Sequence, residues 1–547
     1  MIRRLAKALV GVALIGGLTD QGVAQVTGDA PTGRPKAVLD LMTEAGAGLA
    51  RATWRYRDAE IVSVEHRAVG PDLRPSGPPN RTFDIRPRVG TADFDDRSWE
   101  VVPPSELTRR RTNGRLAFGW YRVSVTIPDS IAGWSTRGST VVFEVVVDDY
   151  AEVWVDGRLT PVLGQAGGQL IKGWNTPNRV VVTREAVPGR TVDLAVFAAN
   201  GPLSDPPVNY VWIRSATLDF HPAALGPVGI EATVARHQAE IDAIVPAGTR
   251  IEKLAGGFEF VEGPVWNPVD GFLLFSDPNA NAIYRWTPDG QVSIWRTKSG
   301  YAGADIGQYR QPGSNGLALD PEGRVTVDQH GNRRVVRIEK NGVVTVLADR
   351  FDGKRLNSPN DLVYRSDGSL YFTDPPFGLP RVFDDPGRET PHAGVYRLAD
   401  GRLTLVAADL KGPNGIAFSP DERFLYVGNW DPARKVIMRY PVRADGSLGP
   451  GQVFFDITQR VPGDLAWDGI KVDQRGHVFA AGPEGIYVLD PNGRHLGTIA
   501  TPEHVANFAW GDADRRTLYV TATTGLYRIR LGFPGAGPIR DGAAAGR

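Results

Sequence analysis

Four side chains with oxygen donors stand at matching places in the second half of this chain. They are Glu262 in Glu-Gly-Pro, Asn360 in Asn357-Ser358-Pro359-Asn360-Asp361, Asn414 in Pro-Asn-Gly and Asp468 in Asp-Gly. Each precedes an apolar run that reads as a β-strand: Val265-Trp266, Leu362-Val363-Tyr364, Ile416-Ala417-Phe418 and Ile470-Lys471-Val472. At equivalent positions of successive repeats, such side chains would converge on the axis of a β-propeller. Two carboxylates and two amides suit a hard cation. Calcium takes about six to eight oxygen ligands, so four from the protein leave room for water and a substrate oxygen. An open cation of that kind polarises a carbonyl and stabilises the oxyanion that follows. The absence of cysteine and of a His-X-X-X-His arrangement disfavours a dedicated zinc site. Single Asn and Asp residues before strands are also ordinary turn formers, so the matched placing carries the reading.

Placing such residues takes a repeat, and one is legible. Strands recur as Ile283-Tyr284-Arg285-Trp286, Val335-Val336-Arg337-Ile338, Gly394-Val395-Tyr396-Arg397-Leu398, Gly485-Ile486-Tyr487-Val488-Leu489 and Gly525-Leu526-Tyr527-Arg528-Ile529. Tight Asp/Pro/Gly turns recur with them, as in Asp320-Pro321-Glu322-Gly323 and Asp473-Gln474-Arg475-Gly476. Six units with a period of roughly 40–55 residues predict a six-bladed β-propeller over residues 248–531. Residues 251–254 are expected to close it by pairing with the last unit.

Ahead of the repeat, residues 54–220 carry short strands at 120–127, 140–147, 150–155, 179–183 and 191–198, which read as a β-sandwich. Residues 25–53 read as a linker, with a short helix over 37–52 that places Val38, Leu41, Met42, Ala45 and Leu49 on one face. Residues 221–247 read as a connector with a short helix at 230–244, and 532–547 as a frayed tail. The fold class expected is therefore all-β, a sandwich followed by a propeller. At the front, Arg3, Arg4 and Lys7 precede an apolar run over 8–18 and the small-residue site Gly22-Val23-Ala24, which reads as a cleaved signal peptide over 1–24. The run is short for a membrane span. The expected location is periplasmic or secreted, with no membrane span after cleavage.

Composition narrows the function. Two or three domains are expected at 547 residues. With 62 basic and 62 acidic residues and no basic stripe, a nucleic-acid partner is not expected. Cysteine chemistry is excluded because there is no cysteine. No Gly-X-Ser-X-Gly elbow and no phosphate-cradling Gly-rich loop ending in Lys-Ser/Thr is present, which sets aside serine hydrolases of that type and nucleotide-binding folds.

The repeat resembles the regucalcin/gluconolactonase/luciferin-regenerating-enzyme family of six-bladed lactonases, most closely its gluconolactonase branch. The resemblance rests on Val261-Glu262-Gly263-Pro264-Val265-Trp266, Ser314-Asn315-Gly316-Leu317-Ala318, His330-Gly331-Asn332-Arg333-Arg334-Val335, Tyr371-Phe372-Thr373-Asp374-Pro375-Pro376, Pro413-Asn414-Gly415-Ile416-Ala417-Phe418 and Asp468-Gly469-Ile470-Lys471-Val472-Asp473, in that order. It implies that Glu262, Asn414 and Asp468 hold a divalent metal, that Asn360 lines the metal or the substrate, and that Asp468 accepts the proton of the attacking water. Calcium is the expected ion, with zinc, magnesium or manganese as substitutes. The expected substrate is a sugar lactone such as an aldono-1,5-lactone. Asn315, His330, Asp374 and Phe377 fall in loops expected to line the pocket, although His330 reads first as a packed or hydrogen-bonded loop residue. The branch usually carries Pro before the Asp-Gly pair. Here Trp467 stands beside the expected base, where it would reshape the pocket. Hydrolysis of other lactones, esters or phosphotriesters on the same site, or glycan or ligand binding without turnover, are the alternatives.

Residues 54–220 resemble the galactose-binding-like jelly roll of family-2 glycoside hydrolases, through Asp95-Asp96-Arg97-Ser98-Trp99, Gly119-Trp120-Tyr121-Arg122 and Val153-Trp154-Val155-Asp156-Gly157. Trp120, Trp154, Trp174 and Trp212 are expected to fill the sandwich core; stacking on a glycan is the alternative.

Overall fold

The computed structural model describes residues 30–31, 35–67, 78–89, 94–111, 118–148, 150–163, 177–199, 211–222, 229–301, 303 and 305–537. The expected signal peptide, Trp174 and residues 538–547 lie outside the described residues. Among the described residues no helix is long and apolar enough to cross a membrane.

Beside two small hairpins, Glu60–Arg67 with Pro79–Arg86 and Ser130–Ile131 with Trp134–Ser135, most of the described N-terminal strands build two antiparallel sheets. One runs in the order Ala37–Asp40, Ile213–His221, Thr140–Val147, Asn178–Thr183. The other runs Arg158–Leu163, Tyr150–Val155, Thr191–Ala199, Phe118–Thr126, Thr53–Asp58, Glu100–Val102. Alternating residues of both meet in one core, with Phe143, Val145, Leu218 and Phe220 against Tyr121, Val123, Val153 and Val196. The opposite alternation of the six-stranded sheet buries Trp120 beside Phe197 and Trp99, with Trp154 packed on them. Trp120 is thus a packing residue. Trp212 lies under the Arg111 guanidinium, 4.5 Å from the ring centre.

The helix expected over 37–52 is largely replaced. Ala37–Asp40 is a strand paired along Thr217–Phe220, and only Glu44–Leu49 is helical, capped by Thr43 Oγ1 accepting from Gly46 N at 3.1 Å. An unpaired edge distant in sequence took residues whose apolar spacing also fitted a helix. The helix expected at 230–244 is corrected for the same reason. Gly229–Glu231 and Val234–Arg236 are strands that pair with Arg250–Gly256 and His495–Ile499, and only Ile241–Ile244 is helical.

Each repeat unit forms an antiparallel sheet whose strands follow one another in the chain. The first sheet starts at Glu262–Asn267, the second at Ser314–Leu319, the third at Leu362–Tyr364, the fourth at Pro413–Phe418, the fifth at Ile470–Val472 and the sixth at Val505–Gly511. The first four have four strands each; the fifth and sixth reach five by taking in strands from 229–256. Arg250–Gly256 pairs with Gly525–Arg530, with Ile251 opposite Ile529. The first strands of successive sheets lie against each other, and Glu262–Asn267 also lies against Val505–Gly511.

The six-bladed propeller expected from the repeat is corrected. Among the described residues every sheet is open, its strand order running from one edge to the other, and no sheet closes or curls on itself. The architecture is an all-β fold of several sheets. The physical reason is that hairpin turns and period-two alternation specify pairing within a unit, and nothing in that pattern demands a closed sheet. The tail expected to fray from 532 is held over its first residues: Ala536 N donates to Val472 O at 2.9 Å, and Gly535 N to Arg515 O at 2.9 Å.

Candidate functional site

The starts of the first strands bring the expected residues together. Glu262, Asn315, Asn360, Asn414 and Asp468 come from five different sheets, and all are buried. Asn315 Nδ2 donates to Asn360 Oδ1 at 3.1 Å, and Asn360 Nδ2 donates to Asn414 Oδ1 at 2.6 Å. Asn414 lies beside Asp468, whose carboxyl in turn lies close to that of Glu262. Amides therefore run from Asn315 to a carboxyl pair.

Close approach of the strands depends on glycine. A Cβ on Gly263 would lie 1.9 Å from Asn315 O, and one on Gly415 would lie 2.2 Å from Asp468 O. Backbone bonds use that proximity: Gly316 N donates to Asn360 O at 2.7 Å, and Gly469 N to Ala506 O at 2.8 Å. The Glu-Gly, Asn-Gly and Asp-Gly pairs of the sequence thus set an oxygen-bearing side chain beside the space that lets the next strand in.

Burial decides the electrostatics. Burial, and after it the Asp361 charge, push the Glu262 pKa up; burial and the Glu262 charge push Asp468 well up. Two carboxylates so close cannot both ionise cheaply unless a proton or a cation stands between them. His330 is fully buried, with Nε2 3.3 Å from Asn360 Oδ1, and burial lowers its pKa to about 4, so the ring is neutral at pH 7. It packs beneath Gly378, next to Phe377. Phe377 is half-buried, edge-on to Phe383 at 5.9 Å between ring centres. Asp374 sits apart from the amides. Its Oδ2 accepts from Asn357 N at 2.8 Å, its backbone oxygen accepts from Asn357 Nδ2 at 3.0 Å, and burial raises its pKa to about 8. That geometry fixes the 357–361 turn from behind.

Trp467 does not face the mouth. It is fully buried between Phe455 and Tyr487, in space left by Gly428 and Gly482. The expectation that it reshapes the pocket gives way to a packing role, because its ring is taken up by Phe455 and Tyr487.

Sequence reasoning missed three residues here. Asn507 Nδ2 donates to Glu262 Oε2 at 3.2 Å and to Asp361 Oδ2 at 3.4 Å. Lys471 Nζ donates to Asp361 Oδ2 at 3.3 Å and Asn507 Oδ1 at 3.2 Å. A signal existed for Asn507: it precedes Phe508-Ala509-Trp510 at the start of the sixth sheet, as Asn414 precedes Gly415-Ile416-Ala417-Phe418.

Among the described residues no three His, Cys, Asp or Glu side chains converge as a metal-holding group. The carboxylate part of the cluster is a pair, and the rest is amide. The donor chemistry nonetheless fits a hard cation: all its donors are oxygen, Asn315 Oδ1 is buried without a partner, and the carboxyl pair calls for positive charge.

The model of the SMP-30/Gluconolactonase/LRE-like region matches residues 260–524. The gluconolactonase of Zymomonas mobilis is 38% identical over 306 residues, covering 54% of this chain and 85% of that protein. This chain belongs to that family. At the family level it is an enzyme, a lactone hydrolase. The 6-deoxy-6-sulfogluconolactonase of Pseudomonas putida is 33% identical over 277 residues, covering 48% of this chain and 82% of that one. Among solved structures, a gluconolactonase from Xanthomonas campestris is 32% identical over 55% of this chain and 97% of its own, with a TM-score of 0.48.

Proposed function

We propose that the chain opens a sugar lactone, such as an aldono-1,5-lactone, by water attack assisted by Asp468 and a divalent cation, calcium first. The observation that carries the reading is the buried Glu262–Asp468 pair joined to Asn414 and Asn360. Glu262, Asn360, Asn414 and Asp468 would hold the ion. When bound, it would supply Lewis-acid polarisation of the lactone carbonyl and of the developing oxyanion.

The protein's own groups set the rest. With its pKa raised by burial and by Glu262, Asp468 holds a proton more tightly than a free carboxyl unless positive charge stands nearby. Deprotonated, its carboxylate would take the proton of the attacking water, a contribution of roughly 10²–10⁴ in rate. Asn360 is held by bonds at both ends of its amide, and would orient the lactone without reorganising. The neutral His330 would brace Asn360 and stay out of proton transfer. The N-terminal sheets would serve as a spacer or a glycan-docking module.

The test is hydrolysis of glucono-1,5-lactone above its spontaneous rate in buffer, with and without chelator, alongside Asp468→Asn. Turnover that needs the ion and disappears in the variant, with the fold intact, supports the reading. Chelator-insensitive turnover removes the cation from it. Absence of turnover on this and other aldonolactones overturns the substrate class.

A further inference from the structure

The geometry points to Lys471 as a built-in counter-ion of the candidate site, a positioning residue that holds its divalent-cation affinity down and matches its charge to one ion. The inference rests on the cation reading of the preceding subsection. It concerns a residue that touches neither the expected ligands nor the substrate position.

The observations form an unbroken chain. Lys471 Nζ contacts Asp361 Oδ2 at 3.3 Å and Asn507 Oδ1 at 3.2 Å. Asn507 Nδ2 contacts both Asp361 Oδ2, at 3.4 Å, and Glu262 Oε2, at 3.2 Å. Glu262 in turn reaches Asp468. Asn507 thus spends its donor on carboxylates and its acceptor on the ammonium and on Phe508 N, which donates to Oδ1 at 2.9 Å. Asp361 is fixed further by Leu362 N at 2.9 Å and Ile416 N at 3.4 Å on its two oxygens. Its side chain is 4% exposed and that of Lys471 is 23% exposed, so solvent screens this pair far less than a surface one.

Charge then decides capacity. Glu262, Asp361 and Asp468 carry three negative charges when ionised and Lys471 one positive charge; the buried Asp328, which also feels the Asp361 charge, is pushed well up towards its neutral form by burial and by that charge. Three minus one leaves two, the charge of a single divalent ion. Without the ammonium, three buried carboxylates would attract cations more strongly and hold Asp361 with no partner of opposite sign. Lys471 lies on the strand Ile470–Val472 that follows Asp468, and its ammonium reaches across to Asp361 and Asn507 of other sheets.

The experiment is calcium titration by calorimetry on full-length protein stripped with chelator, together with thermal unfolding with and without calcium. The variants are Lys471→Met and the double variant Lys471→Met with Asp361→Asn. The expected results are one calcium per wild-type chain and a calcium affinity at least tenfold tighter in Lys471→Met. In the double variant, which removes one charge of each sign, affinity returns to within threefold of wild type. Calcium should raise the unfolding temperature of Lys471→Met by more than it raises that of wild type. A purely structural role predicts weaker binding or no change, because loss of packing does not tighten an ion. If wild type binds one ion and Lys471→Met is less than tenfold tighter, this inference falls alone. If wild type binds no calcium, magnesium or manganese, the cation reading of the function falls and takes this inference with it. Should Lys471→Met not fold, the double variant decides: an affinity more than threefold from wild type overturns the charge argument.

Discussion

Asn360 donates from Nδ2 to Asn414 Oδ1 across 2.6 Å while its own Oδ1 accepts from Asn315 Nδ2 at 3.1 Å. One amide thereby ties together three sheets whose first strands lie against each other. Asn360→Ala leaves Asn414 Oδ1 and Asn315 Nδ2 without these partners in a buried place. The expected cost is about 1–3 kcal/mol of stability, with lactone hydrolysis down at least tenfold. Thermal unfolding and the rate above buffer check both, and an unchanged rate removes Asn360 from the site.

Gly415→Ala places a methyl group about 2 Å from Asp468 O, closer than any packing tolerates. The strand carrying Asp468 must move, so activity should fall at least as far as stability, which is expected to drop by about 1–3 kcal/mol. Gly48→Ala meets nothing within 4 Å and serves as the control. Equal behaviour of the two variants would show that strand contact at Gly415 does not position Asp468.

Trp467 distinguishes a pocket role from a packing one. Its burial predicts that Trp467→Ala costs about 3–5 kcal/mol, while Trp467→Phe costs less because Nε1 has no partner to lose. In Trp467→Phe the ratio of kcat/KM between two lactones should stay within about twofold, since the ring does not meet substrate. A changed ratio would return this residue to the pocket.

Asp374 gives a pH signature. Burial raises its folded pKa to about 8 from the ordinary 3.8, so between those values the folded state holds a proton that the unfolded state has lost. Stability from this group is therefore complete below about pH 4 and falls as pH rises towards 8, by on the order of 1 kcal/mol per unit. Asp374→Asn removes the titration but retains an oxygen for Asn357 N. Its stability relative to wild type should rise steadily from pH 5 to pH 8 in denaturant titrations with chelator present. A pH-independent difference would refute the raised pKa.

Much of the site was legible because each piece is local. Glu262-Gly263, Asn414-Gly415 and Asp468-Gly469 put a polar side chain next to a glycine at a strand start, and that pairing repeats in sequence. Asn507 lacks the following glycine and was passed over. Asp361 and Lys471 appeared in the quoted motifs as flanking residues, and only their contacts, made across sheets, gave them a part. Trp467 was misplaced because adjacency in sequence was taken for a shared place in the pocket, whereas its ring packs on Phe455 and Tyr487.

By itself the sequence determined the strands, the turns and the matched positions of Glu262, Asn360, Asn414 and Asp468, since turn chemistry and period-two alternation act within a few residues. The tertiary structure alone decided that Ala37–Asp40 pairs as a strand, that the sheets are open and that 532–537 is held. It also decided that Lys471 meets Asp361 and Asn507. Those outcomes depend on which distant segments offer an unpaired edge or an uncompensated charge, and no local pattern records that.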